Sequence, residues 1–343
     1  MKIHFLPVII ALIFSACQGT PSDVPTAEEP SSNPKITGQT MRLASWQAEP
    51  RQKILTWLNR VTDDQSSDFV PVNDRIAVFD NDGTLWPEQP FPNQLVFTID
   101  MLKAQWKDHP EWAKNKIYSD LVNGNMEVLK SMGMKELVAL LQDTHNSRTE
   151  DEFNASVRNW ADTATNKKFE RRYIDLVYQP MLELLDVLRE HDFETFIVSG
   201  GGADFMRVWA EEKYGIPPYQ VIGSYGEVKY EVVDGKPVLS KVPGNLYIDD
   251  KGGKPQAIHR FIGKKPIFAA GNSDGDQAML QYTSSSNYRS FCMLLRHTDA
   301  EREFAYEKHT ASGHLETALV EADEKGWLVV DMKNDFKQVF PAK

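Results

Sequence analysis

Arg75-Ile76-Ala77-Val78-Phe79-Asp80-Asn81-Asp82-Gly83-Thr84-Leu85 is a short apolar run that ends in two carboxylates, a glycine and a threonine. Ile76 to Phe79 is β-branched and aromatic, too short for a helix and bounded by polar residues, so it reads as a buried strand. Gly83 supplies a turn after it. Open α/β sheets bind ligands beyond the carboxyl ends of their strands, where Asp80 and Asp82 fall. One residue apart in a loop, both side chains can turn toward one ligand, one carboxylate attacking while the other moves a proton.

Three later stretches repeat the pattern of a polar group beyond an apolar run. Phe193-Glu-Thr-Phe-Ile-Val-Ser199 leads into Gly200-Gly201-Gly202 and a predicted helix from Ala203 to Tyr214. Glycines at a helix N-terminus expose backbone N–H groups to anions, although three glycines also fit a plain tight turn. Ile197 stands where a serine-hydrolase elbow needs glycine, so Ser199 reads as a phosphate-contacting hydroxyl rather than a nucleophile. Asp249-Asp250-Lys251-Gly252-Gly253-Lys254 opens a predicted helix over Gln256 to Ile262. Pro266 to Ala270 is a further short strand, ending in Gly271-Asn272-Ser273-Asp274-Gly275-Asp276. Phe291 to Leu295 and Trp327 to Val330 are also strand-like, and strands alternating with helices predict an α/β fold with a parallel sheet. Asp234-Gly235, inside the alternating stretch Val221 to Lys241, predicts a small β-hairpin.

Between the first and second of these runs no clear strand occurs. Helical spacing marks Leu95 to Trp106, Met134 to Leu141, Glu152 to Trp160 and Phe169 to Leu188, and the region reads as a helical cap over residues 88–190. The surrounding core is assigned residues 41–87 and 191–343, with the apolar residues of Met41 to Val61 packing against it. His109 and His145 are isolated and read as surface or capping groups. Arg148, Arg171 and Arg172 are candidates for a substrate carboxylate. Arg296 and His297 follow a strand on the site's side of the sheet, where a satisfied structural histidine is the simpler reading.

The four polar strand ends, in order, resemble the motifs of the haloacid dehalogenase superfamily, in particular its phosphoserine-phosphatase-like branch. Asp80-Asn-Asp82-Gly-Thr84 looks like the first motif, Ser199 the second, Lys254 the third, and Gly271-Asn272-Ser-Asp274-Gly-Asp276 the fourth. The resemblance spans about residues 74–330 and implies a Rossmann-like sheet with helices on both faces. It implies a phosphomonoesterase in which Asp80 attacks phosphorus and Asp82 serves as acid and then base. Ser199, the Gly200 amide and Lys254 would hold the phosphate, and Thr84 completes the first motif beside the substrate. Mg²⁺ would sit on Asp80, the Asp82 backbone carbonyl and the fourth-motif residues Asn272 and Asp276. Asn272 departs from the family's aspartate there, which leaves the ligand set among Asn272, Asp274 and Asp276 open. Glu88 resembles the acid that phosphoserine phosphatases use on the substrate amine, one position closer to the nucleophile. The aspartate at 82 favours a phosphatase over a dehalogenase, which has no leaving oxygen to protonate. A phosphotransferase to an alcohol, or a weakly catalytic lipoprotein that binds a phosphorylated ligand, are the alternatives. An EF-hand reading of Asp80-Asn-Asp82-Gly fails, because Gly83 and Phe91 occupy positions four and twelve of that loop.

Residues 1–17 carry Lys2, an apolar run and Ser15-Ala16-Cys17, a secretory signal ending in a lipobox-like site. Export is expected, to the periplasm or as a lipoprotein anchored through a lipid on Cys17. Residues 18–40, rich in Pro, Ser, Thr and Glu, read as a flexible linker. Cys17 and Cys292 are the two cysteines, so a lipidated Cys17 leaves no internal disulfide, and Cys292 reads as a buried core residue. Over 343 residues the formal net charge is −11, which argues against nucleic-acid binding but not against a small phosphorylated substrate.

Overall fold

Residues 42–310 and 312–342 are described by a computed structural model; the predicted signal with Cys17, the linker and Met41 lie outside them. The run that opens the sequence argument is strand β1 (Ile76–Phe79), and all four of its residues are buried. Helix α1 (Ala48–Thr62) precedes it, and its Trp57 lies against Phe193, Phe268 and Phe291, as the helical spacing before Val61 predicts.

After β1 come α2 (Asn93–Gln105), α3 (Lys116–Val122), α4 (Met134–His145) and α5 (Glu150–Thr163). A two-residue ladder of β2 (Thr165–Asn166) and β3 (Arg171–Arg172) follows, then α6 (Gln179–Glu190). Thr149 and Glu152 cap α5 reciprocally: the Glu152 N–H donates to the threonine hydroxyl at 3.2 Å and the Thr149 N–H to the glutamate at 2.9 Å. The predicted helix over Phe169 to Leu188 is only half present. Pro180 lies in the first turn of α6, where its missing N–H costs nothing, and the residues before it form β3 and a short 3₁₀ turn.

β4 (Glu194–Gly202), α7 (Ala203–Arg207), α8 (Ala210–Tyr214) and β5 (Val221–Ser224) come next. The single helix predicted from Ala203 to Tyr214 is therefore two. β6 (Val228–Val233) and β7 (Lys236–Lys241) form the predicted hairpin, with Asp234 and Gly235 both at positive φ as a two-residue turn of type I′ requires. The chain then runs through α9 (Gly253–Ala257), β8 (Phe268–Gly271), α10 (Gln277–Ser284), β9 (Phe291–Arg296), α11 (Thr317–Lys325), β10 (Leu328–Asp331) and α12 (Met332–Asp335).

Six strands form one sheet in the order β10-β9-β8-β1-β4-β5, every pair parallel. This is the Rossmann-like α/β sheet of the sequence reading. The period-two alternation of buried strands divides the core. Ala77, Phe79, Ile197, Phe268 and Met293 face α1, α6 and α8. Ile76, Val78, Phe196, Ala269 and Cys292 face α9, α10 and α11. Cys292 is thus a core residue, its thiol pushed up to about 12 by burial.

The helical insertion divides. Ile99, Leu102, Tyr118, Leu121 and Leu140 of α2, α3 and α4, with Trp112 and Leu129 of the 3₁₀ turns between them, form a small core of their own. Phe153, Val157 and Trp160 of α5, and Leu184, Leu185 and Leu188 of α6, join the main core. The hairpin reaches the insertion: the Ser147 N–H donates to the Lys241 carbonyl at 3.0 Å, and the Lys241 N–H to that of Arg148 at 2.8 Å.

Candidate active site

β1 has β4 on one side and β8 on the other, and chain order runs outward in both directions. The carboxyl ends of these three strands therefore meet where a parallel sheet leaves a crevice. Asp80 follows β1, Ser199 and Gly200 end the regular part of β4, and Asn272 follows β8. Between Ser199 and Gly202 the ladder with β5 slips register, which turns the glycines out of the sheet. Gly223 on β5 makes room for that bulge, because a Cβ there would meet the Gly201 carbonyl at 2.5 Å and the Ala203 nitrogen at 3.0 Å.

α9 brings Lys254 into the crevice. Its ammonium donates to Asp80 Oδ1 at 2.6 Å, Asp276 Oδ1 at 2.6 Å and the Val198 carbonyl at 2.9 Å. Burial opposes its charge, but Asp276 and Asp80 outweigh burial and raise its pKa. Burial and the neighbouring Asp276 push Asp80 upward against the pull of Lys254. Asp249, fully buried nearby, has neither carboxylate oxygen hydrogen-bonded among the described residues, and burial pushes it up to about 6.

Asp82 is held differently. The Trp86 indole N–H donates to its Oδ1 at 2.5 Å. Burial pushes this carboxyl up to about 6, against the Trp86 hydrogen bond and the Lys254 charge. Asn81, between the two aspartates, points away and accepts from the Tyr214 hydroxyl at 3.1 Å. Ser199 Oγ accepts the Gly201 N–H at 3.1 Å.

In the fourth motif the three candidate metal ligands, Asn272, Asp274 and Asp276, have different duties. Asp276 Oδ2 accepts the Asn272 and Ser273 N–H groups at 2.9 and 3.0 Å and the Ser273 hydroxyl at 3.1 Å, while Oδ1 takes Lys254. Both its oxygens are thus engaged with protein donors. Asp274 accepts the N–H groups of Glu316, Thr317 and Ala318 at the start of α11. Asn272 faces the nucleophile's loop, with Thr84 Oγ1 3.3 Å from its Oδ1 and 3.5 Å from Asp80 Oδ2.

That hydroxyl brings the Asp80 and Asn272 oxygens to one side. No three His, Cys, Asp or Glu side chains converge as a metal cluster among the described residues. The donors are one carboxylate and one amide oxygen, a hard and sparse set that fits Mg²⁺, which keeps waters and binds substrate phosphate oxygens.

Glu88 is buried, and its Oε1 accepts the Asn272 amide at 2.6 Å and the Tyr306 hydroxyl at 2.8 Å. Its Oε2 accepts the Ser312 hydroxyl. Burial pushes it up to about 7, against Ser312 and His297. Tyr306 and Ser312 escaped the sequence reading, since they lie more than 200 residues beyond Glu88 in a stretch without strand or helix. Gln94 escaped it too; its side-chain oxygen accepts the Gly202 N–H at 2.7 Å, and a polar residue opening α2 gives no signal of that. His297 is satisfied on both sides, Nε2 2.7 Å from the Gly83 carbonyl and Nδ1 3.0 Å from Glu303. Arg296 pairs with Glu307, Arg172 with Asp175, and Arg171 donates to the Pro341 carbonyl.

Asp80, Asp82, Glu88, Ser199, Gly200, Lys254 and Asp276 line one cavity of about 590 Å³. Residues 77–281, which contain all four strand ends, match the model of the haloacid dehalogenase-like hydrolase family. The chain belongs to that family. Among solved structures, a conserved protein of unknown function from Anaerococcus prevotii shares its fold, at 15% identity and a TM-score of 0.51 over 82% of this chain and 90% of that one. A Bordetella pertussis protein of unknown function is 12% identical, TM-score 0.45, over 75% and 98%. A phosphoserine phosphohydrolase-like protein from Francisella tularensis is 17% identical, TM-score 0.36, over 64% and 87%. No curated protein matches. As in the sequence reading, this haloacid dehalogenase-like hydrolase carries its nucleophile candidate at the end of a central parallel strand.

Proposed function

We propose that this hydrolase is a Mg²⁺-dependent phosphomonoesterase working through an aspartyl-phosphate on Asp80. The observation that carries the reading is Lys254. It joins Asp80 at 2.6 Å to the β4 end beside Ser199, bringing three of the four motifs together. Asp80 attacks phosphorus, and the bond to the leaving oxygen breaks as Asp82 donates its proton to that oxygen. Asp82 then takes a proton from the water that attacks the aspartyl-phosphate, releasing inorganic phosphate and restoring Asp80. A carboxyl at about 6 suits both halves of that exchange near neutral pH. Lys254, Ser199 and the Gly200 amide hold the phosphate oxygens. Asp80 and Asn272 would hold Mg²⁺, with the Asp82 backbone carbonyl added by the resemblance and Asp276 left out because Lys254 and two backbone N–H groups take its oxygens; the ion would supply neutralisation of phosphate charge.

The cavity supports an apolar leaving group over phosphoserine. Leu95, Leu137, Val138, Leu141, Phe153 and Leu246 line it beyond the aspartates. Glu88, the candidate partner for a substrate amine, has both oxygens committed, and Arg171 and Arg172 are engaged elsewhere. An exported enzyme of this kind would act on phosphomonoesters outside the cytoplasm.

Phosphate release from a panel of alkyl, aryl and amino-acid phosphomonoesters with Mg²⁺ tests the reading. Turnover lost in Asp80→Asn, with kcat/KM for aryl or long alkyl phosphates at least about tenfold above phosphoserine, is expected. Preference for phosphoserine overturns the apolar reading. Binding without turnover overturns the phosphatase. New phosphoesters formed with added glycerol identify a phosphotransferase.

A further inference from the structure

Position 272 carries an amide where the family resemblance implies a carboxylate, and a carboxylate stands immediately behind that amide. Asn272 Nδ2 donates to Glu88 Oε1 at 2.6 Å, and the other end of the same amide, Oδ1, faces Thr84 and Asp80. Glu88 Oε1 and Oε2 accept from Tyr306 and Ser312 as well, so the carboxyl group acts as acceptor throughout and takes the Asn272 NH₂ on its own side. The carbonyl oxygen is thereby turned toward the nucleophile. An aspartate at 272 would set two carboxylates against each other at hydrogen-bond distance, which neither tolerates in its charged form.

The backbone is shaped around this contact. Gly83 and Gly313 both have positive φ, and a Cβ on Gly83 would collide with Asn272 and Glu88, one on Gly313 with Glu88 and Tyr306. The Tyr306 and Ser312 hydroxyls fix the remaining faces of the carboxylate. Two separate loops thus leave space for a single amide–carboxylate pair.

We infer that Glu88 is a positioning residue for the divalent cation: through its hydrogen bond to the Asn272 NH₂ it orients the Asn272 amide oxygen toward the metal. This rests on the Mg²⁺ site proposed above. The two residues form a matched pair, and exchanging one alone breaks the arrangement.

The test is Mn²⁺ binding to the purified protein without substrate, followed by electron paramagnetic resonance, together with thermal denaturation of Glu88→Gln, Asn272→Asp and the double variant. Glu88→Gln can donate toward Asn272 and let the amide turn round, so Mn²⁺ affinity falls about 10–100-fold. Asn272→Asp alone lowers the melting temperature. In the double variant the like-charge contact is gone and the family's carboxylate is in place, so melting temperature and Mn²⁺ affinity both recover. If Asn272→Asp alone does not fold, recovery of folding in the double variant is itself the coupling. Additive effects of the two changes, or unchanged Mn²⁺ affinity in Glu88→Gln, overturn the inference. Coupled Mn²⁺ binding in a protein that hydrolyses none of the panel overturns the phosphatase reading and leaves the pair standing. Additivity in an active phosphatase does the reverse.

Discussion

Lys254 Nζ lies 2.6 Å from Asp80 Oδ1 where both side chains are almost wholly out of water. A buried ion pair contributes little net stability, but removing one partner leaves the other charge uncompensated. Here the lysine also serves Asp276, so its loss exposes two buried carboxylates to each other. Lys254→Met is expected to lose about 3–5 kcal/mol of unfolding free energy, measured by urea denaturation. Turnover of any phosphomonoester that the wild type hydrolyses should fall with it, because the phosphate oxygens lose their cation. A stability unchanged by the substitution would show that the two carboxylates are already neutral in the folded chain.

Asp82 and Asp80 carry the same side chain and differ in company. Trp86 holds Asp82, and Lys254 holds Asp80. If Asp82 protonates the leaving oxygen, its loss should matter most when that oxygen is a poor leaving group. Asp82→Asn should therefore cost alkyl phosphates about 10²–10⁴-fold in kcat/KM, and an aryl phosphate with an acidic phenol much less. Equal losses on both substrates would take the acid role away from Asp82.

What the sequence made legible is local. Ile76 to Phe79 fits a buried strand by length and composition alone, and Asp234-Gly235 fits a hairpin turn because its two residues accept positive φ. The apolar runs before Ser199 and Asn272 are strands for the same reason as β1. What stayed hidden depends on residues far apart in the chain. Nothing near Asp274 reveals that it caps α11 more than 40 residues later, and nothing near Glu88 reveals Tyr306 and Ser312. The apolar spacing across Phe169 to Leu188 suggests one helix, yet Pro180 begins α6 instead of interrupting it. Spacing also could not divide the insertion, because α5, α6 and the Phe97 and Met101 side of α2 enter the main core while Ile99 and Leu102 of α2 join α3 and α4 in a separate one.

Gly223 supports the bulge that carries Gly200 to Gly202, and it does so by absence of a side chain. Of the atoms a Cβ would meet, the Met206 methyl can swing aside, but the Gly201 carbonyl and the Ala203 nitrogen are backbone and cannot. Gly223→Ala should destabilise by about 1–3 kcal/mol as an overpacked site. It should also raise KM for phosphomonoesters, since Ser199 and Gly200 precede the displaced turn. Crystal structures of the variant and wild type would show the shift directly. An unperturbed turn with wild-type KM would mean that β5 yields instead.

His145 gives the fold a dependence on pH that is separate from chemistry at Asp80. It lies between Phe97 and Phe153, with Thr98 Oγ1 3.5 Å from its Nε2. Burial first, and then the Lys241 and Arg148 charges, lower its pKa from 6.5 to about 3 against the opposing pull of Asp204. A histidine whose folded pKa is depressed binds fewer protons folded than unfolded between those two values. Its contribution to stability is therefore full above about 6.5 and declines as pH falls toward 3. His145→Gln cannot take up that proton, so its melting temperature should fall less steeply than the wild type's between pH 6.5 and 4. Parallel curves for the two proteins, recorded by circular dichroism in the same buffers, would place the acid sensitivity elsewhere, with the raised carboxyls around Lys254 as the next groups to substitute.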